Sequence, residues 1–452
     1  MNYHLLPHKA LPNFNVALKF VDVERHKKLF RLPDTEELQL EYMFDFPARK
    51  SWNRAALRPI FNLGIYRTDA VVDYIKVGFV REGHFNWAKL SDSLHDELGE
   101  KISVTPIKKR HLDGKSNFQA RMQTPDPERL HDLIDVLNRH EHIECSGQVT
   151  EIEVSLDWYA HSHKDKDRWL MTELIWRHFL PDLGLWDADK GYPRSIWGNE
   201  DDRKKDKGKR QGSPFLAKPS MKEGELDSEE YSNVQIDFDS ARNRNLDINK
   251  HIQPNLNGTI YFGERDSEVE YKIMHKALDE QNRNEKKAKR LFKKAKRTRI
   301  EVTIRGKEMR KAQLEKVETL SEGLKRIRTN YFNFYLPTVE YYGKSSKSLR
   351  GIVAAVLAPK RAEFFVRTGV FGSFIAEKAH RDRLVAHNLR AKKQGSEKHK
   401  VFRQGKTKVL KRGETKALRK EDAKTGWLVA YPELNERAGK AFDRLSKEWM
   451  ES

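Results

Sequence analysis

The run Arg297–Arg305 reads Arg-Thr-Arg-Ile-Glu-Val-Thr-Ile-Arg, and it alternates apolar with charged or polar side chains along most of its length. Successive side chains of a β-strand point to opposite faces, so this pattern predicts a strand with one apolar and one charged face. The charged face places Glu301 between Arg299 and Arg305, where an anion or a metal ion could bind. The strand therefore requires a sheet with a core on one side and a polar surface on the other.

A second run far upstream, Thr150–Asp157, repeats the alternation. Its apolar positions are Ile152, Val154 and Leu156, and its polar positions are Glu151, Glu153, Ser155 and Asp157. Further strand-like runs are Leu38–Phe46, Val71–Phe79, Val234–Asp239, Gly258–Gly263 and Glu268–Lys276, whereas Pro127–Arg139, Asp167–Phe179, Met309–Asn333 and Pro432–Trp449 show helical spacing. The prediction is an α+β fold with a central antiparallel sheet and flanking helices.

The predicted domain has two halves that are separated by a charged insertion. Residues 1–196 and 233–345 would form the α+β domain, and 197–232 would be a disordered insertion because this segment is charged and lacks periodicity. Residues 346–452 would form a helical, basic C-terminal region with a mobile arm over 392–424. The basic connector Asp279–Arg297 is predicted to be a helix.

The charge of the chain points to a polyanionic partner. The 452 residues carry a formal net charge of +20, and from Lys344 onward there are 27 Lys and Arg against 12 Asp and Glu. Such an excess favours phosphate neutralisation and counterion release, so nucleic acid is the first candidate and an anionic membrane surface the second. An unspecific basic tail is the alternative interpretation.

The remaining global features narrow the class of protein. The single cysteine, Cys145, excludes an intramolecular disulfide framework. No apolar run approaches the roughly 18 residues that a membrane span needs, and the N-terminus lacks the pattern of a secretory signal. No membrane partner and a cytoplasmic location are therefore expected.

The carboxylates of the two alternating strands are candidate metal ligands. We predict that Thr150–Asp157 and Thr298–Arg305 lie in one sheet, with Glu153 and Glu301 on the same face. If Asp157 shares that face, the oxygens of the three carboxylates suit a hard divalent ion, Mg²⁺ or Mn²⁺. The alternative is that these acids only pair with neighbouring Arg and Lys side chains. Two His-x-His triplets, His140–His142 and His161–His163, are expected to be surface histidines. The chain has neither a phosphate-binding loop motif nor a His-Glu-x-x-His helix.

Three motifs, taken together, resemble a known family. They are Glu151-Ile152-Glu153 followed by Asp157, then Gly258-Thr259-Ile260-Tyr261-Phe262-Gly263-Glu264-Arg265-Asp266-Ser267, and finally Arg299-Ile300-Glu301. Their order resembles that in the rolling-circle replication initiators of staphylococcal plasmids and filamentous phages. The first motif departs from the family pattern, since Glu stands in place of both its Arg and its Asp. The resemblance covers roughly residues 150–160 and 257–305 and leaves the ends of the chain unassigned.

The resemblance implies an HUH-endonuclease-like sheet, without the paired histidines, and a DNA-nicking activity. The protein would bind a replication origin, cleave one strand through a phosphotyrosine and leave a 3′-OH as primer. Glu153, Asp157 and Glu301 would hold the metal. The expected DNA contacts are Arg265, Lys272, Lys276, Arg299 and Arg305. The partners would be single- and double-stranded origin DNA. Host helicase and host polymerase are further candidate partners, and a homodimer is a candidate assembly.

The nucleophile is the point where the chain departs most from the family. The position of the family's tyrosine falls on Met274, and the tyrosine of that strand, Tyr271, alternates with the apolar side chains. A β-bulge between the two residues would turn Tyr271 to the charged face and make it the nucleophile; without a bulge, Tyr271 is a core residue. Tyr341 and Tyr342 are substitutes without motif support.

Two other classes of function stay open. Met274 favours a DNA-binding regulator that keeps the fold and lacks the nicking activity. A basic RNA-binding protein is a third candidate. Covalent attachment to single-stranded origin DNA would distinguish the initiator from both.

Overall fold

The computed structural model describes residues 14–20, 38–45, 54–83, 86–100, 102–110, 115–181, 194–197, 210–212, 252–253, 259–263, 267–279, 289–340, 365, 369–371, 373 and 428–451. The strands are β1 (Phe14–Phe20), β2 (Leu38–Asp45), β3 (Arg54–Pro59), β4 (Tyr66–Glu82), β5 (Ile102–Arg110), β6 (Lys115–Gln123), β7 (Ile143–Ala160), β8 (Arg194–Trp197), β9 (Arg210–Gly212), β10 (Ile252–Gln253), β11 (Thr259–Phe262), β12 (Val269–Lys276), β13 (Leu278–Asp279), β14 (Lys289–Arg290), β15 (Arg297–Arg305), β16 (Tyr335–Glu340) and β17 (Leu428–Ala430). The helices are α1 (Trp87–Leu98), α2 (Pro127–Arg139), α3 (Asp165–His178), α4 (Lys307–Ala312), α5 (Leu320–Tyr331) and α6 (Pro432–Glu451).

The chain divides into two compact units, and each of them is assembled from three segments. The first unit comprises Met1–Leu63, Lys164–Ile260 and Phe334–Pro432, and the second comprises Gly64–His163, Tyr261–Asn333 and Glu433–Ser452. The fold is α+β with a large antiparallel sheet and several helices, which confirms the predicted class. None of the helices in the described ranges is both long enough and apolar enough to cross a membrane.

The second unit contains the strands whose alternation is clearest in the sequence. Its sheet runs in the order β5-β6-β4-β7-β15-β12, and each neighbouring pair is antiparallel. The prediction that Thr150–Asp157 and the closing strand lie in one sheet is confirmed. The two strands pair directly, with Glu301 opposite Ser155 and Thr303 opposite Glu153. The apolar side chains of β7, β12 and β15 are buried: Ile152, Val154, Leu156, Val269, Tyr271, Ile273, Ile300, Val302 and Ile304.

Helices α1 and α2 pack against this sheet and have clear end signals. The side chain of Asn86 accepts hydrogen bonds from two backbone N–H groups at the start of α1, and that helix ends at Gly99 with φ of 66°. The side chain of Asp126 caps α2, in which Pro127 is the first residue. Helix α1 contacts β5 and α2 contacts β7, so the helices cover apolar sheet surface.

Helix α6 covers part of one edge of β4. Strand β6 pairs with β4 from Tyr74 onward, and among the described strands none pairs with the first residues of β4 on that side. The guanidinium groups of Arg437 and Arg444 on α6 donate hydrogen bonds to the carbonyls of Tyr66 and Thr68, at 3.0 and 2.5 Å. This pairing satisfies carbonyl acceptors that an exposed strand edge would leave to water.

The first unit contains a smaller sheet in the order β10-β1-β2-β3-β16-β17. Strand β10 is parallel to β1, and the other pairs are antiparallel. Helix α3 matches the predicted Asp167–Phe179 within two residues at either end. Gly369 has φ of 64°, and a side chain there would come within 2.9 Å of the backbone of Arg177 on α3, so this position favours glycine.

Some predicted segments differ from the structure or lie outside it. The connector is not helical where it is described, because Lys289–Arg290 forms the strand β14 and pairs with β13. Within the predicted insertion 197–232, Trp197 ends β8 and Arg210–Gly212 forms β9, which pairs with β8, while 198–209 and 213–232 lie outside the described residues. The arm over 392–424 and the predicted strand Val234–Asp239 also lie outside them.

Candidate functional site

One face of the sheet in the second unit is lined by charged side chains from four strands, and we call it the carboxylate face. Its members from β7 and β15 are Glu151, Glu153, Ser155, Asp157, Arg297, Arg299, Glu301, Thr303 and Arg305. Glu270, Lys272, Met274 and Lys276 come from β12, and Asp73 and Tyr74 come from β4. The Lys272 ammonium contacts both Glu153 and Glu301, so the prediction that these two carboxylates share one face is confirmed.

A β-bulge in β4 adds two side chains to the carboxylate face. Val72 lies opposite Val154 and Tyr74 lies opposite Glu153, so Asp73 is the extra residue between them. Asp73 accepts hydrogen bonds from Arg299 at 2.7 and 2.9 Å, and the Tyr74 hydroxyl donates to Glu151 at 2.5 Å. Both consecutive side chains thus reach the same face, as bulges permit.

Three carboxylates on this face converge closely enough to hold one metal ion. Asp73, Glu153 and Glu301 each offer an oxygen, and these oxygens lie within 4.8 Å of one another. They come from β4, β7 and β15, and we call them the acidic triad. An all-oxygen set of this size has the chemistry that Mg²⁺ and Mn²⁺ prefer.

Two cationic side chains pair with the carboxylates of the acidic triad. The Lys272 ammonium lies 2.8 Å from an oxygen of Glu153 and 3.2 Å from an oxygen of Glu301. The Arg299 guanidinium binds Asp73 and lies 3.5 Å from Glu301. Lys272 therefore already contacts two of the three carboxylates that a metal ion would use.

The protonation of the acidic triad reflects the conflict between burial and charge pairing. Burial raises the pKa of Asp73, and burial together with Glu301 raises the pKa of Glu153. Burial also acts to raise the pKa of Glu301, but Lys272, Arg299 and Lys276 outweigh it and hold that pKa below its ordinary value. The same two acids, Glu301 and Glu153, overcome the effect of burial on Lys272 and raise the pKa of its ammonium. The triad thus favours a cation in its centre.

Asp157, a predicted metal ligand, lies outside the acidic triad. Both of its oxygens are bound by Arg299, with Nε and Nη2 each at 2.6 Å, and Arg297 Nε lies 2.9 Å away. A bidentate guanidinium pair of this kind occupies the lone pairs that a metal would need. Asp73 takes its place in the cluster, and sequence reasoning missed Asp73 because the bulge depends on strand pairing. The only signal was the adjacent polar pair in the otherwise alternating run Val71–Phe79.

Tyr271, the predicted nucleophile, lies on the apolar face. The register of β12 with β15 is continuous, with Tyr271 opposite Val302 and Met274 opposite Arg299, so no bulge turns the phenol toward the carboxylates. The residue is fully buried. Tyr271 is therefore the core residue that alternation indicates, and Met274 lies on the carboxylate face. Tyr341 and Tyr342 lie outside the described residues.

Four of the five predicted DNA contacts lie on the expected face, but they already bind carboxylates. Arg305 lies 2.9 Å from Glu151, and Lys276 lies 3.9 Å from Glu301. Lys272 and Arg299 bind the acidic triad, as described above. Arg265 lies outside the described residues. The positive charge on this face is therefore balanced locally, and any phosphate would have to compete with these acids.

The two His-x-His triplets lie in turns at the ends of β7. The first of them, His140–His142, precedes the strand, and the second, His161–His163, follows it. His142 and His161 are exposed, as expected of surface histidines, and His140 and His163 are half-buried. The only candidate metal cluster among the described residues is the acidic triad.

Two tyrosines that sequence reasoning did not consider contact the carboxylate face. Tyr74 is buried and stacks under Arg121, whose guanidinium carbon is 3.7 Å from the ring centre. Tyr159 is half-buried, and its hydroxyl donates to Asp157 at 3.3 Å. Burial, and then the charge of Asp157, raise the pKa of Tyr159 to about 12. Tyr159 continues the alternation of β7 by one step beyond Asp157, and this was the available signal.

Comparison with known proteins adds no assignment to this geometry. No protein-family model matches the sequence, and none of the curated proteins matches it.

Proposed function

We propose that the protein is a rolling-circle replication initiator that nicks one DNA strand with the help of a divalent metal ion. One observation carries the proposal: the acidic triad draws two of its members from the motifs that resemble this family. Glu153 belongs to the first motif and Glu301 to the last, and the fold brings them to one face together with Asp73. The sheet would then be of the HUH-endonuclease-like type.

The acidic triad would hold Mg²⁺ or Mn²⁺. Bound there, the ion would polarise a phosphodiester and stabilise the charge that develops during cleavage. Asp73, Glu153 and Glu301 would supply the oxygens, and Thr303, whose hydroxyl donates to Glu153 at 2.7 Å, would orient one of them. Lys272 would have to leave Glu153 and Glu301 when metal binds, and its ammonium would then be available to a phosphate oxygen.

The substrate would be DNA at a replication origin. The excess of basic residues after Lys344 supports binding to a polyanion, chiefly through contacts that do not depend on sequence. Cleavage would leave a 3′-OH from which host polymerase extends. Lys276 and Arg305, at the margins of the triad, would hold the phosphates beside the scissile bond.

A DNA-binding regulator without nicking activity is the second candidate. The position of the Lys272 ammonium favours it, because an internal cation between Glu153 and Glu301 can satisfy these acids without any metal. The core position of Tyr271 favours it as well. Both candidates bind DNA, so only cleavage distinguishes them.

The test is the nicking of supercoiled DNA that carries the gene with its flanking sequence. We expect the wild type to produce open circles with Mg²⁺ or Mn²⁺, and Glu301→Gln to lose at least a hundredfold in rate. Glu270→Gln is the matched control, since Glu270 is a buried acid on the same face outside the triad. DNA binding without open circles in the wild type would establish the regulator instead.

A further inference from the structure

The end of the carboxylate face at Tyr159 combines an accessible phenol with two guanidinium groups. The guanidinium carbon of Arg67 lies 4.7 Å from the centre of the Tyr159 ring, and that of Arg297 lies 5.7 Å from it. The side chain of Arg67 is 62% exposed, whereas that of Arg297 is 13% exposed. Arg67 is paired with Asp69 at 2.8 Å and faces solvent, where a phosphate can compete for it, whereas Arg297 is held in place by Asp157.

Tyr159 is oriented by Asp157, which is connected to the acidic triad through Arg299. Its hydroxyl donates to Asp157, and Asp157 is fixed by both nitrogens of the Arg299 fork. The remaining nitrogen of the same guanidinium binds Asp73 of the triad. A single guanidinium thus connects the acceptor of the phenol, Asp157, with Asp73 of the candidate metal site.

We infer that Tyr159 is the nucleophile of the proposed strand cleavage, and that Arg67 and Arg297 bind the phosphate that it attacks. The inference rests on the proposed function, because it assigns the residue that this function requires. Tyr271 is turned into the core, and Tyr74 is nearly inaccessible at 5% exposure beneath Arg121. Tyr159 is on the carboxylate face, half-buried, and next to cations.

The bond changes of this step balance without an added reactant. The phenol oxygen of Tyr159 forms a bond to phosphorus, and the bond from phosphorus to the 3′ oxygen breaks. The phenol proton passes to water, and the released 3′ oxygen takes up a proton from water. The products are a phosphotyrosine on the 5′ end of the downstream strand and a free 3′-OH on the upstream strand.

The experiment is covalent trapping on single-stranded oligonucleotides tiled across the gene and its flanking sequence, labelled at the 3′ end, with Mn²⁺. The wild type should give a labelled protein band that resists denaturation. Tyr159→Phe should lose the adduct at least a hundredfold, and Tyr74→Phe and Tyr271→Phe should keep it. Melting temperatures of the three variants, compared with the wild type, establish that each one is folded.

Peptide mapping of the wild-type adduct gives a second readout that does not depend on any variant. Mass spectrometry should place the nucleotide on the peptide that contains Tyr159. An adduct formed by Tyr159→Phe, or mapped to another tyrosine, would overturn the inference and leave the proposed nicking activity intact. The absence of an adduct from the wild type on every oligonucleotide would overturn both.

Arg67→Gln tests the phosphate contact separately. Because Arg67 is largely exposed, this change should leave the melting temperature unchanged and reduce the rate of adduct formation about tenfold. Arg129→Gln, an exposed arginine on α2, is the matched control and should react at the wild-type rate. Equal rates for the two variants would remove Arg67 from the site.

Discussion

The two units each bury a cluster of charged side chains, but the clusters are built in different ways. In the first unit the buried pair lies one turn apart on α3, where Arg177 binds Glu173 and Glu173 also accepts a hydrogen bond from Trp176 at 2.7 Å. In the second unit Asp73, Glu153 and Glu301 come from three strands. The first cluster is local and has one acid for one base; the second is long-range and brings like charges together.

This difference separates a structural ion pair from a candidate functional site. Within one helix turn, Arg177 and Glu173 satisfy each other, and the guanidinium also stacks on Trp176. The acidic triad instead holds three carboxylates within 4.8 Å, an arrangement in which each disfavours the ionisation of the others. Clusters that work against their own ionisation are enriched at functional sites. The comparison therefore marks the second cluster as the candidate site and the first as a structural ion pair.

Removing the buried arginine of each cluster should give the largest loss of stability, and the loss should differ between the two clusters. Arg299→Met removes the guanidinium that binds both Asp73 and Asp157 and leaves Asp157 with Arg297 alone, so we expect it to lower the free energy of unfolding by about 3–5 kcal/mol. Arg177→Met leaves only Glu173 without its guanidinium, and Glu173 keeps its hydrogen bond from Trp176. The decrease in the free energy of unfolding should therefore be smaller for Arg177→Met. Urea denaturation at neutral pH measures both variants. A smaller loss for Arg299→Met than for Arg177→Met would contradict the comparison.

The pH dependence of the first unit should come from a single buried histidine. His178 accepts from Tyr42 through Nε2 and donates through Nδ1 to the carbonyl of Tyr335. Burial lowers the pKa of His178 to about 3, so the folded state keeps it neutral while the unfolded state protonates below pH 6.5. Its contribution to stability is complete above pH 6.5 and is lost as the pH falls toward 3.

Between pH 7 and pH 5 this loss should be about 2 kcal/mol. Replacing the imidazole by an amide, in His178→Gln, removes the titration and should flatten the pH dependence over this range. Thermal melts at several pH values check the prediction, with His161→Gln, an exposed histidine, as the matched control. An unchanged slope in His178→Gln would show that other groups control the acid sensitivity.

Removing one buried hydroxyl next to each cluster should give the smallest loss of stability, and the loss should be equal at the two places. Tyr74→Phe deletes a hydrogen bond to Glu151, and Tyr42→Phe deletes the one to His178. Each change should lower the free energy of unfolding by about 1 kcal/mol, as expected for one buried hydrogen bond. Chemical denaturation of the two variants compares them directly. A difference of several kcal/mol would mean that the two clusters differ in more than their charge arrangement.

The strands and their faces could be predicted from the sequence because a period of two is a local property. The alternation of Thr150–Asp157 and Arg297–Arg305 correctly placed Glu153 and Glu301 on one face. The same alternation placed Tyr271 on the apolar side, and the structure has no bulge at that point to turn it to the other face. Apolar periodicity likewise located α2, α3 and α6.

The composition of the acidic triad could not be predicted in the same way. Asp73 enters it through a bulge between β4 and β7, and such a bulge depends on how two distant strands pair. Asp157 is not part of the triad, because two nitrogens of Arg299 bind its two oxygens. Alternation alone does not reveal this pairing. The strand β14 forms in a basic segment predicted to be helical, because pairing with β13 outweighs local propensity.

Mn²⁺ binding, followed by electron paramagnetic resonance, tests the central claim that the acidic triad is a metal site. We predict one bound Mn²⁺ per wild-type chain, tighter binding in Lys272→Met, which lacks the competing ammonium, and loss of binding in Glu301→Gln. Glu270→Gln and Glu173→Gln, buried acids outside the triad, should bind as the wild type does. An absence of bound Mn²⁺ in both the wild type and Lys272→Met, or unchanged binding in Glu301→Gln, would contradict the account.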